Sequence, residues 1–224
     1  MTNEKPSFQA FRLSPSIFRP SYSALRLSSI FCPVIIPPPM ANSHSLETFI
    51  SVDVETAGPN PGQYSLLAIG ACTLDEPQQT FYVELQPVNG NLTPESYVVH
   101  GLSLEALAER GLPPAEAMAS FEAWLDEVVP PRAKAVCVAF NAPFDWMFLN
   151  DYFHRFLGRN PFGHTALDVK AYFMGLVGSS WAETSMTHIA RRYLGNRPLT
   201  HNALQDAIDQ AEIFRMILAE SDGE

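Results

Sequence analysis

The sequence predicts an α/β fold, a mixed five-stranded sheet flanked by helices, in a single domain. Three observations predict it. Three strand-like runs with short links come first, and helix-period and strand-period segments then alternate. The chain has 224 residues, 46% of them hydrophobic, which suits one domain with room for a substantial core. That domain is placed at residues 45–221.

Residues 1–44 differ from the rest. They carry Lys5, Arg12, Arg19 and Arg26 against a single acid, Glu4, with many serines and the cluster Pro37-Pro38-Pro39. Such a composition does not easily pack a core. It has the acid-poor, Arg- and Ser-bearing look of a transit peptide. The plainer reading is a disordered segment, or extra upstream translation with Met40 as the true start. A cytoplasmic location is expected, with organelle targeting by residues 1–39 as the alternative.

From residue 47 the pattern is regular. Residues 48–55, 65–73 and 80–85 read as strands; the short links between them, with the turn Asp75-Glu76-Pro77, suggest an antiparallel meander. The period then changes. Residues 103–108 form a short helix capped by Ser103, and 114–128 a longer one with Ala117, Phe121, Trp124, Leu125 and Val128 on one stripe. The fully apolar run 135–140 is a fourth strand, covered on both faces. A helix follows at 143–157, then a short fifth strand at 165–168 and helices near 169–176, 185–194 and 203–219.

Two carboxylates interrupt the first strand. In Phe49-Ile50-Ser51-Val52-Asp53-Val54-Glu55, alternation makes Asp53 and Glu55 project side by side from one face. Adjacent anions at the end of a buried strand repel and are costly to desolvate, and a hard divalent cation relieves both. A D-x-E pair also ends strands that surface into solvent, so the pair alone leaves both readings open. Ligands of such sheets sit at the carboxyl ends of strands, where these two acids lie.

Other acids fall at similar junctions. In Asn141-Ala142-Pro143-Phe144-Asp145, Pro143 suits a first helical turn and Asp145 lies inside that turn, as a site residue or a partner of the helix dipole. In the last helix Asn202 is an N-cap with Gln205 at the third position, a capping-box variant. His201 then lies just outside the helix and Asp206 about one turn in, aligned with Ile213 and Ile217 at the edge of the apolar face. Asp209 aligns with Glu212, Met216 and Glu220, a solvated row, so its removal is expected to have little effect. His201 is a surface loop residue or, beside an inward acid, part of a site. Asp168 is expected to be structural, as a helix cap.

A net charge of −10 argues against a broad electrostatic grip on duplex nucleic acid, though not against a local site where metal ions supply the positive charge. Cys32, Cys72 and Cys137 form no C-x-x-C pair, which disfavours a zinc site or a disulfide framework. No apolar run is long enough to span a membrane.

Asp53-Val54-Glu55, then Asn141 to Asp145, then His201 and Asp206 at H-x4-D spacing, resemble the three motifs of the DEDD exonucleases, histidine-containing branch, over residues 47–219. Asp53 to Gly58, Asn91-Leu92-Thr93-Pro94-Glu95 and Arg159-Asn160-Pro161-Phe162 look most like ribonuclease T within that superfamily. The resemblance implies a ribonuclease-H-like fold, two divalent cations, Mg²⁺ or Mn²⁺, and hydrolysis of terminal phosphodiesters from the 3′ ends of single-stranded RNA or DNA. By the same resemblance Asp53, Glu55 and Asp206 hold the first ion, Asp53 bridges to a second supported by Asp145, and His201 is the general base. Phe144, Phe162 and Glu95 match substrate-binding positions, while Pro59 and Val99 stand where ribonuclease T has aromatics. Arg155, Arg159, Arg191 and Arg192 are candidates for a basic patch. A homodimer is implied too. The alternatives are a DNA proofreading or repair exonuclease and, as a different class, a catalytically silent nucleic-acid-binding module.

Overall fold

One five-stranded sheet in the order β3-β2-β1-β4-β5 carries the molecule. A computed structural model describes residues 46–195, 197 and 200–223, all within one unit, and the segment assigned to 1–44 lies outside the described residues. The strands are β1 (Glu47–Thr56), β2 (Leu66–Thr73), β3 (Thr80–Glu84), β4 (Lys134–Ala139) and β5 (Ala166–Asp168). β1 to β3 form the expected antiparallel meander, while β4 and β5 add in parallel on the other side of β1. β1 is therefore the central strand and the point where the sheet changes from antiparallel to parallel.

The helices are α1 (Pro94–His100), α2 (Leu104–Arg110), α3 (Pro114–Val128), α4 (Ala142–Leu157), α5 (Val169–Val177), α6 (Met186–Tyr193) and α7 (Ala203–Asp222). Alternation along the strands feeds two cores. Ile50, Val52 and Val54 of β1 pack with Ile69 and Ala71 of β2 against Phe121 of α3 and Phe148, Leu149 and Tyr152 of α4. On the opposite face Cys72 and Val138 pack with Phe173 of α5, Ile189 of α6 and Ile213, Phe214 and Ile217 of α7. The odd-numbered residues of β1 thus face α7, and Asp53 and Glu55 are on that side by the same alternation.

Two elements were not foreseen. α1 is seven residues long, contains a β-branched pair and buries no residue, so it shows no amphipathic period. Its signals were local: Thr93 accepts from the Ser96 N–H, Pro94 opens the helix, and Gly101 closes it at φ 68°. The 3₁₀ turn Trp181–Thr184 rests on a capping box between Ser180 and Glu183. Cys72 and Cys137 are buried free thiols. Among the described residues no helix is long and apolar enough to cross a membrane.

Candidate active site

The site lies where β1 ends. One carboxylate oxygen each from Asp53, Glu55 and Asp206 falls within 4.8 Å of the others. The first two come from alternate positions of β1, and the third from the first turn of α7. That turn reaches the strand because β2 carries Gly70 opposite Asp53. A Cβ at Gly70 would stand 2.1 Å from the Ala203 carbonyl carbon, so only glycine lets the start of α7 lie on the sheet there. Ser51 Oγ donates to the Ala207 carbonyl at 2.7 Å and fixes the helix along β1.

Asp145 joins from the other side of β1. The β1–β4 ladder runs from Glu47 and Lys134 to Ser51 and Val138. Beyond it the Val54 N–H donates to Asp145 Oδ1 at 3.2 Å. The α4 N-terminus that presents Asp145 is held by Asp168, as the cap reading expected. One Asp168 oxygen accepts from the Ala142 N–H (2.6 Å) and the other from the Ala171 N–H (2.7 Å), so a single carboxylate secures the starts of α4 and α5.

The electrostatics mark a cluster that lacks positive charge. Burial, then the charge of Asp206, pushes the Asp53 carboxyl up to about 7, against the hydrogen bond from Gln210. Burial, then Asp53 and Asp206, pushes Glu55 up to about 8. Asp145 is raised well above the usual range by burial and by Asp53. Each is the signature of an anion short of a counter-charge. Hard divalent cations take oxygen ligands, so these residues fit them.

Gln210 was missed in the sequence. Its Nε2 donates to Asp53 Oδ1 (2.6 Å) and its Oε1 accepts from the Phe140 N–H (2.8 Å), tying α7 to the end of β4. The available signal was its position one turn after Asp206 on the same helix face. Asp209, expected on a solvated row, is instead buried at 1% exposure and paired with Arg197 (2.9 Å). The helix period places it correctly relative to Asp206, but of that row Asp209 is buried and Arg197 pairs with it and with Glu212, while Met216 and Glu220 stay exposed.

A pocket of about 240 Å³ opens beside Glu55, with Phe144 and Val99 as apolar walls and Glu95, Ser96 and His100 around it. His100 Nε2 lies 3.2 Å from the Thr56 carbonyl, while its Nδ1 accepts from the Leu102 N–H (2.9 Å). The structure corrects the assignment of Phe162 to substrate: it is 1% exposed and packs between Phe121 and Phe153, so its ring is core. Three of the arginines considered for a basic patch are already paired with carboxylates. Arg155 pairs with Asp151 (2.7 Å), Arg159 with Glu122 (2.7 Å) and Arg192 with Glu220 (2.9 Å). His201 is exposed, with φ of 50°, directly before the α7 N-cap Asn202.

Comparison with known proteins places this arrangement. Residues 50–214 match the RNase T-type family model described as Exonuclease. Cap18, a 3′-5′ DNA exonuclease of Escherichia coli, is 47% identical over 171 residues, covering 76% of this chain and 91% of that protein. Ribonuclease T of Vibrio campbellii is 32% identical over 177 residues, 74% of this chain and 82% of that protein. The fold is shared with the nuclease domain of 3′hExo, a DEDDh family member solved with rAMP, at a TM-score of 0.64 and 17% identity over 80% of this chain and 95% of that chain. On the family match over residues 50–214 and the relatives that share it, the chain belongs to the RNase T-type exonuclease family, whose 3′–5′ activity the carboxylates gathered at the end of β1 suit.

Proposed function

We propose that this exonuclease hydrolyses terminal phosphodiesters at the 3′ ends of single-stranded RNA or DNA, using Mg²⁺ or Mn²⁺. The observation that carries the reading is the gathering of Asp53, Glu55 and Asp206 oxygens within 4.8 Å, beside the buried Asp145. Asp53, Glu55 and Asp206 would hold one ion, and Asp53 with Asp145 a second. Bound there, the ions supply charge stabilisation for the attacking and leaving oxygens of an in-line displacement. His201 accepts the proton of the attacking water at its imidazole. Phe144 offers its ring to the terminal base, and Glu95, at the pocket rim, offers a hydrogen-bond acceptor. With Arg155, Arg159 and Arg192 already paired, the cations at the carboxylates supply the main attraction for the phosphodiester.

The likeness to the E. coli DNA exonuclease supports a DNA substrate, and the likeness to ribonuclease T supports RNA 3′-end trimming. A homodimer, by likeness to ribonuclease T, and a cytoplasmic location complete the proposal. The test uses matched single-stranded RNA and DNA oligonucleotides, labelled at the 3′ or the 5′ end, with Mn²⁺ or with chelator. The proposal predicts immediate release of the 3′ label as a mononucleotide, stepwise shortening of the 5′-labelled strand, and neither with chelator. Internal cleavage, or release unaffected by chelator, would overturn it.

The raised carboxyls also set a pH dependence. Asp53, Glu55 and Asp145 all bind protons more tightly folded than unfolded; without metal the contribution of Asp53 and Glu55 to stability is greatest below about pH 4 and is lost as pH rises through about 7 to 8, and that of Asp145 has the same sign. Divalent ions compete with those protons. At ion concentrations about 100 times Kd the stabilisation is about 2.7 kcal/mol, which corresponds to a melting rise of about 5–10 °C for a domain of this size. Melting with and without Mn²⁺ is expected to show that rise at about pH 8 and a clearly smaller one at about pH 5. An equal rise at both would contradict the cluster as the binding site.

A further inference from the structure

The loop that leads into α7 carries His201, and its described residues are tied to that helix on both sides of the histidine. Before it, Arg197 Nη1 donates to Asp209 Oδ1 (2.9 Å) and to Glu212 Oε2 (2.8 Å). Thr200 Oγ1 donates to Asp206 Oδ1 at 3.0 Å. After it, Asn202 Oδ1 accepts from the Gln205 N–H at 3.1 Å. Gln205 does not complete its capping box; its Nε2 reaches forward to Asp209 Oδ1 at 2.9 Å.

Asp209 is the unusual member of this set. It is 1% exposed, whereas the Arg197 side chain is 42% exposed. A buried carboxylate is tolerated when it is paired, so Asp209 is a fixed anchor for whatever cation the loop brings to it. His201 follows Arg197 by four positions, a reach of at most about 14 Å. Fixing the guanidinium therefore restricts where the imidazole can stand. His201 itself adopts φ of 50°, a left-handed conformation that a non-glycine residue keeps when the surrounding structure determines it. The flanking ties are that surrounding structure, and the Thr200 contact places the loop at the Asp206 end of the carboxylate cluster.

We propose that Arg197 and Asp209 are positioning residues for His201: their ion pair sets the loop on α7 so that the imidazole is presented beside Asp206. The pair does not touch the reacting atoms. It acts by limiting the arrangements in which the base is misplaced. The inference rests on His201 acting as the general base, so its test includes His201→Ala alone.

The experiment measures kcat and KM on a 3′-labelled single-stranded DNA oligonucleotide with Mn²⁺ for wild type, His201→Ala, Arg197→Ala and the double variant. The Mn²⁺-induced melting shift is measured for each. Arg197→Ala is expected to lower kcat about 10- to 100-fold, as for residues that orient a functional group through a hydrogen bond. Its KM and its Mn²⁺ shift are expected to stay near wild type. Arg197→Lys, which retains the charge, is expected to recover part of kcat. In the His201→Ala background, Arg197→Ala is expected to cost nothing further, because both changes remove the same contribution. Asp209→Asn, which keeps the packing volume, carries the same comparison if Arg197→Ala is too unstable at the assay temperature. Full kcat in Arg197→Ala, or losses that multiply in the double variant, would overturn the positioning role while leaving the nuclease reading intact. Wild-type turnover in His201→Ala would instead overturn the base assignment on which the proposal rests.

Discussion

Asp53→Asn is expected to abolish turnover, by about 10³-fold or more, and at the same time to stabilise the metal-free protein. Both effects follow from its place in the cluster. The charge of Asp206 raises Asp53, and the charge of Asp53 in turn raises Glu55 and Asp145. Asp53 is thus in electrostatic contact with each of the other three acids. Removing its charge relieves repulsion in the absence of cations, so the melting temperature in chelator should rise most at about pH 8, where the cluster is most ionised. On the proposed mechanism the same change would remove a carboxylate that would hold the cations, and with it several kcal/mol of charge stabilisation in the transition state. Asparagine keeps the shape and can still accept the hydrogen bond that Gln210 Nε2 now gives to Asp53 Oδ1, so lost activity would not reflect lost packing. Steady-state assays with Mn²⁺, beside melting in chelator, check both halves. Retained turnover would contradict the site assignment, and a lowered melting temperature in chelator would contradict the electrostatic account.

Gly70→Ala is expected to have the second largest effect, although Gly70 carries no chemistry. The added methyl would meet the Ala203 carbonyl carbon and oxygen at 2.1 and 2.2 Å and the Leu204 nitrogen at 2.2 Å. These are backbone atoms of the first turn of α7, so no side chain can rotate away. Either the turn lifts or β2 bends, and overpacking of this kind destabilises by about 1–3 kcal/mol, a melting drop of about 5–10 °C at the upper end. The functional loss should be larger than the stability loss suggests. Asp206 sits in the displaced turn, and Gly70 is the register partner of Asp53. A displacement of about 1 Å between catalytic groups lowers rates about 100-fold. Melting in chelator and kcat in Mn²⁺ give the two numbers. Wild-type values of both would refute the close approach of α7 to β2.

Much of this was legible in the sequence because it depends on local periodicity. The pair Asp53 and Glu55 shares a face by strand alternation, and Asp206 is placed by its distance from the Asn202 cap, which does accept from the Gln205 N–H. Asp168 was recognisable as a cap from its place at a strand end. What remained hidden depends on contacts between distant segments. Asp209 lies on the helix row expected to be solvated, yet it is buried and paired with Arg197, twelve residues earlier. Gln210 reads as an ordinary polar helix residue until β4 delivers the Phe140 N–H to it. Phe162 packs against Phe121 of α3 and Phe153 of α4, a core position that no single-segment pattern reveals. α1 was invisible for the opposite reason: it buries nothing, so no periodicity exposes it.

The central claim is that acids from β1, α4 and α7 meet around divalent cations. The most direct measurement is anomalous diffraction from crystals grown with Mn²⁺. The account predicts two adjacent peaks, one among Asp53, Glu55 and Asp206 and one between Asp53 and Asp145, with both weakened in Asp53→Asn. Manganese bound elsewhere, or four carboxylates that stay empty at saturating Mn²⁺, would contradict it.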